Sequence, residues 1–158
     1  MAGFGTRLYP ATRALKKDFF PIPCPDGMVR PVILILLEEL VKSGVEEICL
    51  VLGSEEERIQ YTEFFERQLS EEHLRKLNKE AQEYENRILD IGKRLHYVYQ
   101  HEKRGFGHAV FQAVEFAAGE PVLLLLFSFP LAGVSSAQMH ALRPSFALRH
   151  AFHSLWQA

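Results

Sequence analysis

The sequence predicts an α/β layered domain with a mainly parallel sheet and helices on both faces. Three observations carry this. Residues 48–52 and 122–127 are apolar runs of strand length, residues 95–100 alternate apolar and polar, and helical patterns lie between them. Strands alternating with helices indicate parallel pairing through helical crossovers. A chain of 158 residues, 47% hydrophobic and 24% charged, suits one globular domain with a buried core.

Taken in order, Pro31 can open a helix, where its missing N–H costs nothing. Val32, Ile33, Ile35, Leu36, Leu40 and Val41 give that helix a broad apolar face, and Gly44 is a natural stop. The run 48–52 reads as a buried strand ended by Gly53. Ser54 with Glu57 three positions on reads as a capping box, opening a helix to about Arg67. Residues 70–94, rich in Glu, Lys and Arg, read as one further helix. The charge pattern over 55–94 is a solvated face above the sheet, with contacts between copies as the alternative. Residues 95–100 form a strand, 107–118 a helix, and 122–127 a third buried strand.

A formal net charge of -2 gives no reason to expect a nucleic-acid partner. Cys24 and Cys49 match no metal-ligand spacing and read as buried thiols in a reducing compartment. The longest apolar run, 122–127, is too short to cross a membrane, and no apolar leader opens the chain. The expected location is the cytoplasm, or a plastid if a leader segment precedes this sequence. Beyond residue 127 there is no Asp or Glu, and the expectation is two parts: residues 1–127 as the domain, 128–158 as an atypical tail, poorly ordered or briefly helical. His140, His150 and His153 have no nearby carboxylate or thiolate to complete a metal site, so no metal ligand is assigned.

The chemistry concentrates near the start, in Ala2-Gly3-Phe4-Gly5-Thr6-Arg7-Leu8, Pro10-Ala11-Thr12 and Lys16-Lys17-Asp18-Phe19-Phe20-Pro21. Two glycines let backbone N–H groups approach an anion closely, while Arg7 and the lysines offer a planar fork and point charges for phosphate oxygens. The segment is neither a dinucleotide fingerprint nor a P-loop: Leu8 stands where a third glycine belongs, and no Gly-Lys-Ser/Thr follows. No strand precedes it in this sequence, so the first strand of the sheet is expected to be missing. A second glycine segment, Gln100-His101-Glu102-Lys103-Arg104-Gly105-Phe106-Gly107-His108-Ala109-Val110, follows the strand that ends near Gln100.

Together these two strings resemble the sugar-1-phosphate nucleotidylyltransferases, and among them the UTP–glucose-1-phosphate uridylyltransferases (UDP-glucose pyrophosphorylases), over about residues 2–127. The resemblance implies an incomplete Rossmann-like, three-layer nucleotidyltransferase domain. It implies that Ala2 and Gly3 offer backbone groups to uracil, and that Gly5, Thr6 and Arg7 cradle the triphosphate. Lys17, rather than Lys16, matches the family's phosphate-binding lysine, so Arg7 and Lys17 are the expected catalytic pair. Gln100 is expected to read uracil by donating and accepting at once, and Gly105 to let its backbone approach the base. His108 is expected as a helix-start side chain or a ligand contact.

The implied reaction is attack of a glucose-1-phosphate oxygen on the α-phosphorus of UTP, giving UDP-glucose and pyrophosphate. The family uses Mg2+ held by an Asp just after the strand at 122–127, but this chain carries Phe127-Ser128-Phe129 there. Serine cannot supply a carboxylate's charge, so an incomplete version without turnover is expected. The alternatives are a non-catalytic uridine-nucleotide-binding or interaction module, and a truncated gene product whose tail is not a selected sequence.

Overall fold

The computed structural model of the chain describes residues 9–102 and 104–125. Expectations for residues 1–8 and 126–158, including Ala2, Gly3, Gly5, Thr6, Arg7, Ser128 and the histidine-bearing tail, lie outside the described residues.

Two short 3-10 turns, Ala11–Arg13 and Lys17–Phe19, lead into an antiparallel pair, β1 (Pro21–Pro23) and β2 (Val29–Pro31). The sequence reading did not anticipate this hairpin, because three-residue strands bounded by proline show no alternation. Helix α1 (Val32–Lys42) starts directly after Pro31. It ends where the Gly44 N–H donates to the Val41 carbonyl and the Val45 N–H to the Leu40 carbonyl, with Gly44 at φ +87°. That is a Schellman closure, and its left-handed residue favours glycine.

Strand β3 (Ile48–Leu52) pairs in parallel with β4 (Leu95–Tyr99), Ile48 opposite Leu95 and Leu52 opposite Tyr99. Between them run α2 (Glu55–Phe65), α3 (Glu71–Lys76) and α4 (Lys79–Gly92), and α5 (Phe106–Gln112) and α6 (Val114–Ala117) follow. The core joins Ile33, Leu34 and Leu37 of α1, Tyr61 and Phe65 of α2, and Ile91 of α4 to Ile48, Leu52 and Leu95 of the parallel strands. Gly92 makes this packing close. A Cβ there would lie 2.1 Å from the Phe65 carbonyl oxygen, so only a bare Cα lets α4 approach α2.

The expected α/β order with parallel pairing is present, as a small sheet. Four local expectations are corrected. The helix expected over 70–94 is two helices, because Leu77 is extended and the Asn78 side chain accepts from the Ala81 N–H, starting α4 afresh. The helix at 107–118 is likewise divided at Ala113. The run 122–127 is not a buried strand over its described part: residues 121–125 have no regular structure, and Leu123 and Leu125 are 44% and 42% exposed. An apolar run becomes a sheet-interior strand only where a neighbouring strand takes its backbone bonds. Cys24 and Cys49 are half-buried rather than buried.

The capping box also differs. Ser54 makes no cap bond to the helix, and its hydroxyl beside the Glu56 carboxyl holds that group below its usual range. The Glu57 carboxylate accepts from the Gly53 N–H and from Lys16 instead. A nearby ammonium outcompetes a neutral cap for a carboxylate.

Candidate functional site

The carboxyl end of β3 and β4 is where glycine-bearing loops leave the sheet, the edge at which open parallel sheets take ligands. The Gln100 N–H donates to the Leu52 carbonyl at 2.7 Å, carrying the β3–β4 ladder one residue past β4. This places Gln100, only 5% exposed, beside the turn at Gly53. Its side-chain Nε2 donates to the Gly105 carbonyl at 2.9 Å and faces His108 Nδ1 at 3.2 Å. The structure thus brings Gln100 and Gly105 together directly. Gly105 stands at φ +94° ahead of α5, with nothing within 4 Å of where its Cβ would be. The loop face is open, and glycine permits the backbone turn.

The lysine segment reaches the same edge from the other side. Lys16 Nζ donates to Glu57 Oε2 at 2.8 Å and lies 4.6 Å from the centre of the Tyr61 ring. Tyr61 in turn donates from its hydroxyl to Asp18 Oδ2 at 2.6 Å, and Asp18 is buried. Burial, with the Asp18 charge beside it, pushes the Tyr61 phenol far up, so the group stays a donor. Burial draws the Glu57 carboxyl up, but the Lys16 ammonium and the Gly53 N–H outweigh it and leave it below its usual range. Between these anchors Lys17, half-buried, opens the short 3-10 turn.

Sequence reading named Gln100, Gly105 and Lys17 as candidates and did not point to Tyr61 or the Lys16–Glu57 pair. Glu57 was visible only as a capping residue, since nothing in linear spacing reveals a partner 41 positions away. His108 and Gln112 were legible in principle, being four apart on one helix face.

A shallow cavity of 760 Å³ lies at the opposite end of β4, lined by Arg58, Glu66, Asp90, Lys93, His96 and Tyr97 among others. Its opposed charges offset one another, and neither Gln100 nor Gly105 lines it. The Gln100 edge is the better candidate, because loop geometry and side-chain commitment converge there.

Among the described residues no three His, Cys, Asp or Glu side chains converge on one point, and Asp18 and Glu57, acids anchored at this edge, are engaged by Tyr61, Lys16 and Gly53. No described helix is long and apolar enough to cross a membrane.

The parallel unit with its glycine loop at the strand ends is an α/β nucleotidyltransferase-type architecture, and the sequence pattern described as "Nucleotidyl transferase" matches residues 1–130. The chain belongs to that family. It is similar to the UTP–glucose-1-phosphate uridylyltransferase of Bacillus subtilis (strain 168), 36% identical over 129 residues, covering 79% of this chain and 41% of that protein. A protein of the same printed name from Streptococcus pneumoniae serotype 4 is 35% identical over 127 residues, covering 79% and 40%. The crystal structure of apo-UDP-glucose pyrophosphorylase superposes with a TM-score of 0.55 at 27% identity, over 76% of this chain and 41% of that one. The chain spans about two fifths of the length of these relatives.

Proposed function

We propose that this chain is the nucleotide-binding part of a uridylyltransferase, taking UTP at the carboxyl end of β3 and β4. The whole protein's reaction, on this reading, is UTP and glucose-1-phosphate to UDP-glucose and pyrophosphate. The observation that carries it is the bond from Gln100 to the Gly105 carbonyl, which ties a buried amide to an open glycine loop. The names of the relatives supply the uridine and the glucose phosphate. Ala2 and Gly3 would meet uracil through their backbone, Gly5, Thr6 and Arg7 would cradle the triphosphate, and Lys17 would hold phosphate oxygens. Such transfers ask a protein mainly for positioning and charge stabilisation.

A second reading, a uridine-nucleotide-binding module without turnover, is favoured by the acids of this edge being taken up internally and by the sequence Phe127-Ser128-Phe129. One assay separates the two. The folded chain is incubated with UTP, glucose-1-phosphate and Mg2+, and pyrophosphate release is followed beside calorimetric UTP binding. UTP binding supports nucleotide recognition on either reading, pyrophosphate release in addition favours the transferase over the module, and a folded chain that does neither refutes both.

A further inference from the structure

His108, in the first turn of α5, has an amide nitrogen at each ring nitrogen. Nδ1 lies 3.2 Å from Gln100 Nε2, and its own Nε2 lies 3.2 Å from Gln112 Nε2. A neutral imidazole carries one N–H and one bare nitrogen, so it cannot accept from both amides. One glutamine therefore turns its oxygen to the ring. Gln100 is held in place, because its Nε2 also donates to the Gly105 carbonyl at 2.9 Å. Reversing that amide would set two carbonyl oxygens against each other at a residue only 5% exposed. Gln112 is held less firmly, its other contact being a 3.5 Å approach to the His108 carbonyl. Rotating its amide exchanges oxygen for nitrogen and satisfies His108 Nε2–H.

We propose that His108 is a positioning residue for Gln100. Its bare Nδ1 takes the second amide proton, so both Gln100 N–H groups are spent inside the protein, and Gln100 meets a ligand through its oxygen alone rather than by donating and accepting at once, as the family resemblance implied. The ligand rests on the uridine-nucleotide reading above; the geometry does not. Set opposite ring position 3 of a pyrimidine, an accepting oxygen needs a donor there. Uracil presents N3–H, whereas N3 of cytosine is an acceptor. Without the Nδ1 acceptor, the Gln100 amide is freer to turn and offer an N–H to cytosine. His108 thus raises discrimination by closing off the wrong orientation rather than by touching the base.

Long-range proton–nitrogen NMR on the full chain reads the tautomer directly. The expected result is Nε2–H with bare Nδ1; an Nδ1–H tautomer overturns the proposal. In calorimetric titrations with UTP and CTP, His108→Phe is expected to lower the UTP preference about tenfold, the equivalent of one lost buried hydrogen bond. His108→Asn, whose oxygen occupies the place of Nδ1, is expected to keep it, and His108→Gln to behave as Phe. An unchanged preference in folded His108→Phe, or equal losses in the Asn and Phe variants, overturns the proposal. If the native chain bound neither nucleotide, the uridine reading would fail, and the tautomer together with the Gln100 amide signals would still decide the role of His108.

Discussion

The Tyr61 hydroxyl donates a 2.6 Å hydrogen bond to the buried Asp18 carboxylate, joining the lysine-bearing turn to α2. Removing only that oxygen, as in Tyr61→Phe, leaves a buried carboxylate without its donor. The expected cost is about 1.5–3 kcal/mol, the range for hydrogen bonds to charged groups. Urea unfolding measures it, and a loss below about 0.5 kcal/mol would show that Asp18 finds another donor.

The Lys16–Glu57 pair adds a pH-dependent contribution. The Glu57 carboxyl is held below its ordinary value of 4.5, so the folded state favours its ionised form. The stabilisation is therefore full above about 4.5 and fades as pH falls through the folded value. Both side chains are partly solvated, which limits the pair to about 1 kcal/mol. Glu57→Gln is expected to be less stable than the native chain at pH 7, with the difference shrinking as the pH is taken down through the acid range. A difference that does not shrink on acidification would place the effect elsewhere.

Gly92→Ala tests the approach of α4 to α2. The new methyl meets a backbone oxygen, which cannot swing aside as a side-chain tip does. A loss of about 1–3 kcal/mol is expected, as for other overpacked sites. Thermal unfolding of the variant is the measurement, and an unchanged midpoint would mean that the two helices separate freely.

Burial pushes the Cys49 thiol up to about 11. At pH 8 about one molecule in a thousand then carries the reactive thiolate. Iodoacetamide followed by peptide mass analysis is expected to leave Cys49 unmodified in the folded chain and to label it in urea. Rapid labelling of the folded chain would show that β3 leaves this half-buried thiol open to solvent.

Residues with a local cause were legible in the sequence. Pro31 and Gly44 bracket α1 because ring closure and a left-handed φ act at single positions. The runs at 48–52 and 95–99 are strands in register, since β-branched and aromatic residues there match a covered pleated surface. What failed depended on partners. Residues 122–125 have a strand's composition but no described neighbour to pair with, and Glu57 has a cap's spacing but an ammonium within reach. At the candidate site, Gln100 and Gly105 were singled out as candidates through their motif, and the structure shows them in contact. The donor commitments of Gln100, and the place of His108 in them, required coordinates because they depend on which atom faces which.

Calorimetric titration of the folded chain with UTP, beside the Lys17→Ala variant, tests the central claim most directly. Saturable UTP binding that weakens about tenfold or more in Lys17→Ala is expected, as for loss of a charge-assisted phosphate contact. No heat from millimolar UTP with a folded native chain, or identical affinity in the variant, would contradict it.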